Sequence, residues 1–141
     1  MNGDPVFGAR ILNTYIQTLT AKYIFKNDLS LSLNTRHYWN TGRYRFYYHL
    51  LDNGLLSENT TYAGNDNFSY NAFNIDAVFS WQFSPGSIFS IVYKNAIETS
   101  EQVIPKNYPD NFNGTLQSPQ TNSISLKVLY YLDYQRLKKK S

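Results

Sequence analysis

A chain of 141 residues holds about one domain. Charged residues make up 16% of it and aromatics 17%, with 13 tyrosines, whereas about 25% charge is usual in soluble proteins. The net charge of +3 leans on a basic tail at Arg136, Lys138, Lys139 and Lys140. The other cations are scattered without a nucleic-acid-binding motif, no apolar run reaches the roughly 18 residues of a transmembrane helix, and the lack of cysteine excludes disulfides and thiolate metal sites.

Residues 1–13 read as an N-terminal extension or the end of a preceding strand, and they lack the charged start and apolar stretch of a secretion signal. Between 14 and 25, Leu19, Ala21, Tyr23 and Phe25 alternate with Thr18, Thr20 and Lys22, which predicts a first strand with one apolar and one polar face. Lys26-Asn27-Asp28 is a compact turn. A second strand is predicted over 29–39, where Leu29, Leu31 and Leu33 oppose Ser30, Ser32, Asn34 and Arg36. Asn40-Thr41-Gly42 carries turn chemistry, and a third strand follows over 43–51 with Tyr44, Phe46, Tyr48 and Leu50 opposite Arg45, Tyr47 and His49.

The polar, Asn-rich stretch 52–71 predicts a long loop, with a strand extension open at 55–62. A fourth strand (72–83), the turn Ser84-Pro85-Gly86-Ser87 and a fifth strand (87–95) come next. A second long loop, 96–121, contains Pro105, Pro109 and Pro119, and a sixth strand is expected from 122 to about 134, before the tail 135–141. The apolar spacing of two rather than three to four predicts no helix. The fold class is therefore all-β, an antiparallel up-and-down meander over 14–134 that reads as part of a transmembrane outer-membrane β-barrel. Taking the last strand as descending to the periplasm places both long loops outside, together with the short Lys26–Asp28 turn.

In that reading Leu31, Leu33, Trp39, Phe46, Trp81, Phe83, Tyr93, Leu126, Val128 and Tyr130 face lipid or form the aromatic girdles, joined by Tyr23, Phe25, Tyr44, Phe89 and Tyr134. Arg36, Arg45, Asp76 and Lys127 face the lumen, with Asp76 paired to Arg36, Arg45 or Lys127. Six strands do not close a membrane barrel, whose smallest examples have about eight. Either further strands at 6–12 and 55–62 complete it, or the chain is the C-terminal part of a longer protein; the second is the reading adopted. The alternative is a soluble β-barrel with a small apolar ligand inside, which turns Leu29, Leu31, Leu33, Ile124, Leu126 and Val128 inward.

The segments Arg36-His37-Tyr38-Trp39, Phe73–Gln82, Ser84-Pro85-Gly86-Ser87, Val92-Tyr93-Lys94-Asn95 and the run from Asn122 to Tyr134 resemble, in order, the C-terminal barrel region of large Bacteroidota proteins of the domain of unknown function family 5916. The resemblance implies an outer-membrane barrel preceded by a carbohydrate-binding module of family-nine type. It implies outer-membrane lipid, the parent's remaining strands and that module as partners, with a link to glycan binding or uptake.

Catalytic chemistry finds little support. Most of the 10 carboxylates stand in loops or turns, and no Gly-x-Ser-x-Gly elbow or Gly-rich phosphate loop occurs. His37 and His49 are expected on different strands without a third metal ligand. The expectation is thus a chain without catalytic role, cofactor or nucleic-acid partner. In the long loops Tyr62, Phe68, Tyr70, Tyr108 and Phe112 sit among Asn, Asp and Gly, a composition able to stack on and hydrogen-bond a sugar.

Overall fold

Where side chains alternate with period two the backbone is extended, and the strands run longer than the alternation marks. The structure, a computed structural model, describes residues 5–132. Its elements are β1 (Val6–Lys26), β2 (Leu29–Leu50), β3 (Leu56–Glu58), β4 (Phe68–Ser84), β5 (Ser87–Glu101), α1 (Tyr108–Gln117) and β6 (Gln120–Leu129). They form an antiparallel 6-stranded sheet of order β1-β2-β4-β5-β6, with β3 paired to β2 off this path through Tyr48↔Glu58, His49↔Ser57 and Leu50↔Leu56. The sheet is open, with β1 and β6 as its two ends. The continuation of the last strand to Tyr134 and the tail 135–141 lie outside the described residues.

Two sequence expectations are corrected. Asn40-Thr41-Gly42 is no turn, because the strands expected over 29–39 and 43–51 are one strand of 22 residues. Gly42 answers a packing need here: a Cβ on it would overlap the Phe68 ring, so the glycine lets that ring approach the β2 backbone. His37 and His49 consequently share β2. The meander then alternates tight turns with long connections. The second correction is α1, a helix of 10 residues inside the expected loop 96–121.

Local chemistry explains that helix. Asn107 adopts an extended N-cap conformation, and its Oδ1 accepts from the Asp110 backbone N–H at 2.9 Å. Pro109 sits in the first turn, where a missing N–H costs nothing, and Asp110 meets the positive end of the helix. At the far end the Ser118 N–H donates to the Thr115 carbonyl at 3.1 Å.

By contacts the chain forms two compact units. The first contains β1 up to Gln17, His37–Phe73 and Ile97–Pro119, and so holds both long connections and α1. Its apolar core is Trp39, Phe73 and Ile97. The second contains Thr18–Arg36, Asn74–Ala96 and the chain from Gln120, and so holds both tight turns. Among its described residues no large apolar side chain is buried. At Pro85-Gly86 the positive φ of 76° at Gly86 completes a turn whose preceding proline presets its own φ. The Gln82 N–H donates to the Asp28 carbonyl at 2.7 Å, tying the other tight turn to β4.

Candidate functional site

The first unit contains two constructed places. One is the seat of α1. The helix rests on residues of β2, β4 and β5, and much of the contact is polar. His37 Nδ1 is 2.8 Å from the Tyr108 hydroxyl, and His37 Nε2 is 3.3 Å from Asn71 Oδ1. Asn71 and Asn111 exchange two amide bonds, of 3.1 and 2.6 Å. Trp39 Nε1–H donates to Ser69 Oγ at 3.0 Å, while its ring stacks on Tyr15 with centroids 5.0 Å apart. Phe112 closes the seat against His37 and Phe73, at 5.2 and 5.6 Å. Every buried side-chain nitrogen and oxygen among the described residues has a partner. Burial pushes the Tyr108 phenol above its ordinary value. A cleft of about 50 Å³ beside the helix, lined in part by Glu101 and Asp110, is the size for a water or two.

The second place is an open cleft of about 400 Å³, lined by Val6, Gly8, Arg10, Tyr44, Tyr47, Tyr62 and Asp66. Tyr44 and Tyr47 are parallel to within 3° at 5.8 Å, and Tyr62 meets Tyr47 at 4.5 Å and 53°. Arg10 Nη1 donates to the Tyr44 hydroxyl at 3.0 Å, with its guanidinium 5.8 Å from the Tyr44 ring centre and 6.0 Å from that of Phe68. The Tyr62 hydroxyl donates to Asp66 Oδ2 at 3.0 Å, and the Tyr47 hydroxyl to the Gly64 carbonyl at 3.3 Å. The Tyr62 phenol is raised, first by its bond to Asp66 and then by desolvation.

The expected residues fall as follows. Trp39, expected in a girdle, is buried beneath Tyr108 at 5% exposure, because the long connection folds back over it. Leu31, Phe46, Trp81, Leu126, Val128 and Tyr130 are exposed, while Leu33, Phe83 and Tyr93 are half-buried. Arg36, Arg45 and Lys127 are exposed; Asp76 pairs with Lys94 at 3.3 Å and not with any of these three. Both partners are well solvated, so the pair contributes little.

Of the five loop aromatics, Tyr62 lines the open cleft and Phe68 faces Arg10 beside it. Tyr70 bonds Glu98 Oε1 at 2.8 Å, and Tyr108 and Phe112 are committed to the α1 seat. Sequence reasoning missed Arg10 and Tyr47 as cleft residues. The available signal was Gly8, whose missing side chain leaves room for the Tyr44 ring. Among the described residues no group of three His, Cys, Asp or Glu side chains is placed to hold a metal ion.

Among the described residues the architecture defines an open antiparallel all-β meander with one helix seated on a strand face. The chain belongs to the family described as Domain of unknown function (DUF5916), which matches residues 1–141. No curated protein and no solved structure matches it.

Proposed function

We propose that the chain is a stretch of wall in a bacterial outer-membrane β-barrel, acting as anchor or pore wall and not as a catalyst. One observation carries this reading: the apolar side of the second unit is bare along its edge strands β1 and β6. Leu19 is 60% exposed, Tyr23 64%, Leu126 68% and Val128 64%. The Thr20 hydroxyl donates to Asn34 Oδ1 at 3.2 Å, so the polar sides of β1 and β2 coincide. Alternation sends Leu19, Ala21 and Tyr23 to the opposite side.

Soluble monomers rarely leave apolar patches of more than a few hundred Å² uncovered. A soluble barrel closed around a ligand would bury this set. Lipid against one face and water against the other fits the alternation instead. In lipid the open edges of β1 and β6 each leave a row of unpaired amides, at several kcal/mol per group. Further strands of a longer parent protein satisfy them, and through that parent's N-terminal module the barrel is tied to glycan binding or uptake.

The test is detergent dependence. The expressed chain is expected to require detergent for a folded state and to migrate differently on a gel before and after boiling. A cooperatively folded monomer in plain buffer would sink the proposal.

A further inference from the structure

We infer that the cleft built by Tyr44, Tyr47 and Tyr62 with Arg10 and Asp66 binds a neutral oligosaccharide. All five residues belong to the first unit, so the site stands whether or not the second unit lies in lipid.

The rings come first. Two stacked, parallel phenols with a third tilted at 53° form a stepped aromatic wall with a corner. Ring faces carry negative potential and attract the polarised C–H groups on one side of a pyranose. A flat aromatic ligand would need about 7 Å between two parallel faces to slide between them. The 5.8 Å separation of Tyr44 and Tyr47 is too small, so a ligand lies across the rings and not between them.

The polar atoms come next. The Tyr44 oxygen already accepts from Arg10, which leaves its own O–H free to donate. The Tyr62 hydroxyl donates to Asp66, which leaves its oxygen free to accept, while the Tyr47 hydroxyl is held by Gly64 and by the Asp66 backbone. Asp66 Oδ2 accepts from the Tyr62 hydroxyl, and the carboxylate's other oxygen adds a further acceptor. The cleft thus offers donors and acceptors side by side, and a vicinal diol is a ligand that answers both at once.

Charge selects among polyhydroxyl ligands. One cation and one anion line the cleft, so no net field draws an anionic sugar or a phosphate. A volume of about 400 Å³ falls within the range of small-ligand sites, roughly 300–1,000 Å³.

The arrangement is built into the backbone. A Cβ on Gly8 would overlap the Tyr44 ring, so the ring lies close over the β1 backbone because that position has no side chain.

The experiment uses calorimetric titration of the whole chain in detergent micelles with maltohexaose, cellohexaose and xylohexaose. At least one is expected to bind with a Kd of roughly 10 μM to 1 mM. Tyr47→Ala is expected to weaken it tenfold or more, and Asp66→Asn severalfold. Tyr62→Phe, which keeps the ring, should cost less than Tyr62→Ala, and Tyr130→Ala should change nothing. Asp66→Asn and Tyr62→Phe alter exposed groups and keep the test decisive if Tyr47→Ala does not fold. Absence of binding by all three sugars to a chain folded by circular dichroism overturns the inference. So does binding indifferent to Tyr62→Ala and Asp66→Asn, or binding confined to an anionic probe such as an oligogalacturonate. A chain that folds without detergent contradicts the barrel proposal and leaves this site intact, which separates the two failures.

Discussion

The Tyr108 hydroxyl and His37 Nδ1, 71 positions apart in sequence, lie 2.8 Å from each other. The rest of the network assigns the proton. His37 Nε2 faces Asn71 Oδ1, which only accepts, so Nε2 carries the hydrogen. For a neutral ring Nδ1 then accepts, and Tyr108 donates. Tyr108→Phe removes the donor and leaves a buried acceptor unpaired, a loss of about 1–3 kcal/mol. The expected readout is faster amide hydrogen exchange in α1 with the strands unaffected. Unchanged protection of the helix would show that the bond does not hold it.

Asn71 and Asn111 are coupled more tightly, since each donates to the other. Asn111→Ala strands the Asn71 amide, at about 1–3 kcal/mol, and Asn71→Ala does the same to Asn111. The double variant leaves no stranded amide, so its cost should fall below the sum of the singles by about 1–2 kcal/mol. Limited proteolysis within residues 102–119 measures this, because an undocked helix is cut faster. Additive effects would mean the two amides do not act as a pair.

The alternation of Leu29, Leu31 and Leu33 with serines made the strands legible, because a period of two is a property of the extended backbone itself. It does not say which face a distant segment will cover. Trp39 looked like a girdle residue and is buried because Tyr108 and Phe112 come down near it from another part of the chain. Asn40-Thr41-Gly42 misled through its chemistry: Asn and Gly favour turns, yet Gly42 serves to admit the Phe68 ring. The helix did leave a local signature in Asn107, Pro109 and Asp110, but it was hidden among loop-like asparagines and glycines. The tyrosine cleft joins positions near 8, 45 and 64, and no local pattern encodes that meeting.

Gly86 should be the least replaceable residue of its turn. Its φ of 76° is strained for any side chain, and a new Cβ would stand 2.9 Å from Tyr131 Cβ. Gly86→Ala should cost about 1–3 kcal/mol, seen as a lower urea midpoint in detergent. Pro85→Ala, which keeps the glycine, should cost less. Equal effects of the two would remove the positive φ as the cause.

Tyr62 offers a titration test. Its phenol is raised, first by the bond to Asp66, so the folded state holds the proton more tightly than the unfolded chain. The contribution is fully present below the ordinary phenol value of about 10 and fades as pH rises through the higher folded value. Asp66→Asn should bring the Tyr62 ionisation down toward that ordinary value. Phenolate absorbance of the chain against Tyr62→Phe and Asp66→Asn isolates the signal. An unmoved Tyr62 titration in Asp66→Asn would rule out the carboxylate as cause.

The final strand gives the sharpest test of the faces, because neighbours along β6 must point to opposite sides. If Leu126 and Val128 meet lipid and Lys127 meets water, Leu126→Arg costs about 2–4 kcal/mol near the bilayer midplane and less toward an interface. That cost alone does not separate lipid from a soluble interior, since arginine is costly in both. Contact with lipid itself does. The chain contains no cysteine, so single cysteines at 126, 127 and 128 can each carry a bimane label without background. In vesicles containing brominated lipid, labels at 126 and 128 should be strongly quenched and the label at 127 should stay bright. A soluble interior shields positions 126 and 128 from lipid as well as water, so it predicts no bromine quenching at any of the three. Quenching at 127 alone would reverse the assigned faces.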